Sequence, residues 1–343
     1  MKISYKRWCF LFLIWIAQMT TSESIAQNPL ISVIAKKGDG IYSLLRAQGI
    51  NPYTYFDAFI ALNLTNLRDS TSLYEGRVYK MPPVIAVDSL KAIPVENKSN
   101  KSISHPIFGK KHAETEIISN RLSGTIYYLV SGHGGPDPGA ITSYASESIS
   151  EDEYAYDVTL RLAKELISHG AMVYVIVRDA NDGIRDQRIL KMDTDEVVYP
   201  NAKIPLNQVK RLKQRTAVIN KLYKQHIGKH QRLIVTHVDS RSKGKNIDVF
   251  FYHDKNSKGG KKLAESIHKT FNKKYKKYQP NRAYSGTFSH RNLYVVKNTL
   301  PVMTYIEIGN IRSKKDLRRI IYPVNRQALA EWIAEGVLLD FEK

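Results

Sequence analysis

Cysteine is all but missing from this chain of 343 residues: the single copy, Cys9, stands near the amino terminus. Beyond it there is no thiolate nucleophile, no cysteine zinc site and no disulfide, so stability has to come from burial. Acids are short relative to bases, 32 against 52, which leaves a formal charge of +20. Such an excess draws a chain towards polyanions, whether membrane headgroups, anionic glycans or nucleic acid. Long apolar runs are absent too: past residue 17 nothing approaches the roughly 18 apolar residues of a membrane-spanning helix. No serine occupies a Gly-x-Ser-x-Gly elbow, which removes one common setting of a serine hydrolase.

What is present begins with Lys2, Lys6 and Arg7 ahead of an apolar run over residues 8–17, followed by Ser24-Ile25-Ala26. A basic start, a short apolar run and small residues at this spacing make a secretory signal of residues 1–26. Cys9 lacks the Leu-x-Gly-Cys setting of a lipid anchor. Removing the segment takes away Lys2, Lys6, Arg7 and Glu23 and lowers the formal charge by 2, from +20 to +18. The mature protein is expected to be exported, soluble, not membrane-spanning and still strongly basic.

Residues 30–83 form one compact stretch. Residues 84–123, rich in Lys, Ser, Asn and Glu and without sustained periodicity, read as a linker. From residue 124 onward, apolar runs alternate with amphipathic helices, the pattern of an α/β domain with a mostly parallel sheet flanked by helices. Strands are expected over 126–130, 172–177, 233–237, 249–252, 293–296 and 302–307, and helices over 151–169, 206–226, 258–271 and 323–339. Residues 180–204 are long for a connection and read as a lid or regulatory insertion. The lysine run over 273–278 reads as a solvated helix face attracted to an anionic wall; export argues against a nucleic-acid partner.

The stretch Ser131-Gly132-His133-Gly134-Gly135-Pro136-Asp137-Pro138-Gly139-Ala140 follows directly on the first of these strands. Four glycines around one histidine mark a tight turn that displays His133 at the carboxyl edge of the sheet. His237 ends a second apolar strand and Glu307 a third, with Gly309 and Asn310 after it. If those strands are parallel neighbours, the three groups converge on the edge where open α/β sheets build their sites. A carboxylate closing an apolar strand costs free energy unless it is paired or metal-bound.

A further ligand is expected from the acidic start of the first helix, where Glu147, Glu151, Asp152 and Glu153 compete. At about 100° per residue, Glu151 shares a face with Tyr154, Ala155, Val158, Leu162 and Leu166, while Glu153 points about 140° away from Val158. Glu151 is favoured and Glu153 is its rival; compensation of the helix dipole is the plainer role for Asp152 and Glu153. His133, Glu151 and His237 then make the ligand set of a catalytic zinc site with an open position. Glu307, the spare carboxylate, is placed to act as general base and to return the proton to a leaving amine.

Four pieces, in order along the chain, resemble the zinc-dependent N-acetylmuramoyl-L-alanine amidases of bacterial cell walls. They are Gly132-His133-Gly134-Gly135 with Asp137-Pro138-Gly139-Ala140; Glu151 with Val158-Thr159-Leu160-Arg161-Leu162; Thr236-His237-Val238-Asp239; and the run from Pro301 to Gly309. Four ordered pieces are far more specific than any one of them. The resemblance implies Zn2+ as cofactor, peptidoglycan as partner, and hydrolysis of the amide between N-acetylmuramic acid and the L-alanine of the stem peptide. It implies a zinc-activated water as nucleophile, Glu307 as general base and acid, and Arg291, His290 and Asn310 as substrate-binding candidates. Wall remodelling or daughter-cell separation follows as the role, with an activator protein as a further partner. The periplasm is the expected location, secretion or the cell surface the alternatives. Competing functions are a non-catalytic wall-binding activator and a zinc peptidase acting on peptidoglycan peptides.

Residues 30–83 carry a second resemblance. Lys37-Gly38-Asp39-Gly40-Ile41-Tyr42-Ser43-Leu44-Leu45, residues 59–63 and the run from Leu73 to Pro82 look like one lysin motif (LysM). That implies a small β-α-α-β unit which binds N-acetylglucosamine-containing glycan; a packing domain without ligand is the alternative.

Overall fold

A computed structural model describes residues 31–36, 39–50, 52–67, 73–83, 102–242 and 244–342. The signal segment with Cys9, residues 84–101 of the expected linker, and Lys37 and Gly38 of the LysM-like stretch lie outside the described residues. The chain divides into two units, residues 1–91 and 92–343. Among the described residues no helix is long and apolar enough to cross a membrane.

In the smaller unit, strand β1 (Ser32–Ile34), helices α1 (Ile41–Ala47) and α2 (Pro52–Asn63) and strand β2 (Val78–Lys80) follow in that order, with β1 and β2 antiparallel. Leu44, Leu45, Phe56, Phe59 and Tyr79 are buried. Asn63, at the end of α2, clamps β2: its Oδ1 accepts the Lys80 N–H and its Nδ2 donates to the Lys80 carbonyl, each at 2.8 Å.

The larger unit opens with a hairpin of β3 (Ser102–Ser104) and β4 (Glu114–Glu116), joined through the short 3-10 turn Pro106–Phe108. Phe108 and, further on, Leu122 are fully buried in the main core. Residues 102–123, read from composition as linker, are therefore folded onto this unit. A few apolar anchors suffice to pin a polar segment, and averaging over composition hides them.

Next, β5 (Thr125–Ser131) leads through β6 (Ile141–Tyr144) and β7 (Glu147–Ser150) to α3 (Glu151–Ser168) and β8 (Met172–Val175). A small sheet of β9 (Val177–Arg178), β10 (Val197–Val198) and β11 (Ala202–Lys203) precedes α4 (Gln208–Gln225) and β12 (His230–Asp239). The chain finishes with β13 (Phe250–His253), α5 (Lys258–Tyr278), β14 (Thr287–His290), α6 (Tyr294–Asn298), β15 (Val302–Asn310), α7 (Lys314–Ile321) and α8 (Pro323–Phe341).

The central sheet has the order β14-β13-β15-β12-β5-β8. From β15 to β8 all pairs are parallel; β13 runs antiparallel to β15 and carries β14 parallel to itself, so the sheet is mixed. Along β5, Tyr127 and Leu129 join the core shared with Val158, Leu162, Ile267 and Ile333, while Tyr128 and Val130 join Ile219, Leu222 and Val296 on the other face. Period-two alternation thus places α3, α5 and α8 on one side and α4 and α6 on the other. Each such side chain contributes roughly 1.5–3 kcal/mol on burial.

Residues 293–296, expected as a strand, instead enter helix α6, and Thr287–His290 takes the edge of the sheet. A short apolar run does not by itself separate strand from buried helix, and an edge strand with one wet face has little apolar signal. Residues 180–204 also differ from a structureless lid. Leu190, Val198 and Ile204 are buried, and Arg326 Nη2 donates to the carbonyls of Arg185 (2.8 Å) and Gln187 (2.9 Å).

Candidate active site

The carboxyl ends of β5, β12 and β15 open into a cavity of about 440 Å³ whose lining includes His133, Glu151, His237, Tyr305 and Glu307. His133 follows β5 with φ 61°, and Gly134 (94°) and Gly135 (66°) continue the left-handed turn. That conformation is costly for a side-chain-bearing residue, and surrounding bonds hold it. Arg215 donates to the His133 carbonyl, and the Gly134 N–H donates to the Asp137 carbonyl at 2.8 Å. Two other glycines make room. A Cβ on Gly132 would stand 2.3 Å from the His237 ring, and one on Gly139 2.7 Å from the His133 ring.

Glu151 Oε1 lies 2.8 Å from His237 Nδ1 and 3.3 Å from His133 Nε2. One ligand atom from each of the three stands within 4.8 Å of the other two. The N–H groups of Val238 and Ala140 donate to Glu151 Oε1 and Oε2, each at 3.1 Å. Asp137 Oδ2 lies 3.0 Å from His133 Nδ1 and also accepts from Arg211 Nη2 at 2.6 Å. A carboxylate there assigns the proton to Nδ1 and turns Nε2 towards the cluster, the second-sphere support that a ligating imidazole needs. Two imidazoles and one carboxylate, with His133 and Glu151 each pinned by a further partner, suit a zinc ion by donor type and number.

The parallel register of β12 with β15 pairs His237 with Glu307. Glu307 Oε2 is buried without a hydrogen-bond partner. Burial pushes Glu307 well above the ordinary carboxylate range; the charges of Glu151 and Asp239 add to the rise, and Arg291 opposes it. Glu151 moves the other way: burial would raise it, but the His133 and His237 rings prevail and hold it below that range. His133 is lifted to about 10, because bonds to Asp137 and Glu151 outweigh the opposing effect of burial. Burial lowers His237.

The sequence profile of the N-acetylmuramoyl-L-alanine amidase family, Amidase_3, matches residues 128–338, a span that holds all four of these residues. This chain belongs to the N-acetylmuramoyl-L-alanine amidase family. Solved structures similar to this amidase include the N-acetylmuramoyl-L-alanine amidase of Clostridium difficile 630, with 19% identity over 64% of this chain and 99% of that one and a TM-score of 0.47. AmiC2 of Nostoc punctiforme is 18% identical over 66% of this chain and 99% of its own, with a TM-score of 0.45. The catalytic domain of CwlV from Bacillus (Paenibacillus) polymyxa var. colistinus is 18% identical over 62% and 96%, with a TM-score of 0.44. No curated protein matches.

The remaining candidates separate. Glu153, the rival of Glu151, is turned towards residues 180–204 of the amidase: its Oε2 lies 2.8 Å from Arg185 Nη2 and its Oε1 accepts the Asp193 N–H at 3.1 Å. Glu147 is exposed on β7. Arg291 lines the cavity, its guanidinium 4.9 Å above the Tyr252 ring. His290 is exposed at the end of edge strand β14 and is not part of the lining. Asn310 is fully buried with both ends of its amide in use, donating to the Lys245 carbonyl and accepting the Arg312 N–H, each at 2.9 Å. It shapes the turn after β15 and does not reach the cavity.

Sequence reasoning missed the cavity's other cations, Arg211, Arg215, Arg241 and Arg312, and the Tyr305 ring that stacks on His237 at 4.6 Å. Two signals were available: Arg211 and Arg215 stand four apart on one helix face, and Tyr305 stands two before Glu307 on one strand face. Residues 180–204 do not line the cavity; they brace the His133 loop from behind. Glu196 Oε2 accepts the Gly135 N–H at 2.6 Å, and Ile204 stands 2.9 Å from where a Gly135 Cβ would be.

Proposed function

We propose that this amidase hydrolyses the bond between the lactyl carbonyl of N-acetylmuramic acid and the L-alanine nitrogen of the stem peptide, with His133, Glu151 and His237 holding a zinc ion. The observation that carries the reading is the meeting of those three side chains in one cavity with Glu307. Zinc supplies a Lewis acid that polarises a carbonyl and acidifies water. Asp137 and the Val238 and Ala140 N–H groups fix the orientation of the ligands. Glu307 takes the proton of the attacking water and delivers it to the departing nitrogen; a carboxyl whose proton affinity is raised by burial suits both halves of that task. Arg291 faces the charge that develops on the carbonyl oxygen, and the exposed Arg241 and Arg312 receive the carboxylates of the stem peptide.

The smaller unit is proposed to bind glycan, supported by its LysM-like sequence and its β-α-α-β order. Export through residues 1–26 would bring both units to the wall.

Digestion of purified sacculi tests the reading. Mass analysis is expected to show free stem peptides and intact glycan strands. Split cross-links would establish a peptidase instead, and an absence of products from zinc-loaded protein would establish a non-catalytic wall binder. Elemental analysis of the purified protein is expected to find about one zinc per chain.

A further inference from the structure

A second cavity, about 300 Å³ in volume, lies between the end of α5, helix α7 and the start of α8, and shares no lining residue with the first. Its cations are Arg282, Lys315, Arg318 and Arg319. Arg282 and Arg319 both pair with Asp248 at 2.7 Å, and Arg319 also pairs with Asp316 at 3.1 Å. Lys315 and Arg318 are exposed on α7 and have no carboxylate partner among the described residues. The cavity therefore carries uncompensated positive charge.

Three more of its side chains each bury a polar atom that has no hydrogen-bond partner: Asn246 Oδ1, the Tyr275 hydroxyl and Trp332 Nε1. Buried polar groups are nearly always paired, and an unmet one is costly. Gathered at one cavity, these three describe what would fill it. The wall offers an acceptor, two donors, aromatic surface and two free cations. An acetamido sugar that bears a carboxylate answers each of them. Its N–H suits Asn246, its oxygens suit Tyr275 and Trp332, and its negative charge suits Lys315 and Arg318.

We propose that this cavity is an exosite for an N-acetylated sugar acid, and that its natural ligand is the glycan strand stripped by the amidase itself. The link to the stripped strand rests on the proposed function. Water adds across the cleaved C–N bond, so the lactyl carbonyl leaves as a carboxylate on the sugar and the peptide nitrogen leaves as an amine. Each cut thus puts a negative charge on the strand where a neutral amide stood. The new carboxylate sits on the sugar itself, beside its acetamido group, so an exosite that reads both groups together distinguishes stripped from unstripped strand and keeps the enzyme on glycan it has already worked.

The test uses the full chain with Glu307→Gln to prevent turnover, and with Trp8→Phe and Trp15→Phe, which leave Trp332 as the only tryptophan. N-acetylmuramic acid is expected to change Trp332 fluorescence saturably, more strongly than neutral N-acetylglucosamine and less at high salt. Replacing the exposed pair, Lys315→Gln with Arg318→Gln, is expected to weaken that binding roughly tenfold or more and to leave the melting temperature unchanged. The dipeptide L-alanyl-D-glutamate tests the other source of carboxylate. A response to the dipeptide as strong as to the sugar acid, a response indifferent to Lys315 and Arg318, or no response at all would overturn the exosite. Sacculus digestion is read separately: amidase products with a failed titration break the exosite alone, and a sound titration without amidase products breaks the link to the reaction.

Discussion

The first turn of α3 points two ways. On one side Glu151 meets His133 and His237 in an open cavity; on the other, Asp152 and Glu153 meet Glu196 in a second cluster whose ligand atoms are again within 4.8 Å of one another. All three acids of the turn are buried, so burial does not separate the two clusters. Their company does. Glu151 has two imidazoles beside it, which hold it ionised. Asp152, Glu153 and Glu196 have mainly one another and Arg185, and burial pushes them up to about 6, 7 and 8. The first cluster sets an ionised carboxylate between two imidazoles; the second binds residues 180–204 to the loop that carries His133.

The strongest way to break this contrast is His133→Ala or His237→Ala. Either is expected to abolish zinc retention and hydrolysis together, measured by elemental analysis and sacculus digestion; a fully active variant would remove that residue from the ligand set. Glu307→Gln comes next. It should lower kcat by roughly 10²–10⁴ with zinc content unchanged, since a base is lost and no ligand is. Because Glu307 Oε2 has no partner to lose, its melting temperature should hold or rise.

Asp137→Asn sharpens the picture of support behind a ligand and should weaken zinc affinity by about 10–100-fold in competition with a chelator. The smallest effect belongs to the second cluster. Its raised carboxyls stay protonated in the folded chain at pH values where they have ionised in the unfolded one. Their stabilising effect is complete below the ordinary carboxylate range and is lost as pH rises towards about 8. Glu196→Gln should therefore flatten the fall in melting temperature between pH 5 and pH 8, by roughly 2–4 °C. An unchanged slope would mean that these acids do not hold protons in the folded state.

Much of the site was legible because parallel strands announce their ends. His133, His237 and Glu307 each close an apolar run, and Glu151 sits on the sheet-facing side of its helix. Less was legible where a residue's role depends on who turns towards it. Asn310 stands three residues after Glu307 yet is consumed by backbone partners, and His290 ends a strand that lies at the wet edge of the sheet. The stretch over 102–123 reads as linker until Phe108 and Leu122 are seen in the core.

By itself the sequence determined the chemistry on offer: no thiol beyond Cys9, two imidazoles in apolar and glycine-rich settings, and carboxylates at strand and helix ends. Those are local facts, set by residue type and by periodicity. Only the tertiary structure decided which carboxylate meets the imidazoles, that residues 180–204 brace the site from behind, and that cations and unpaired polar atoms gather beside Trp332. Each of these depends on contacts between residues far apart in the chain, which no local pattern encodes.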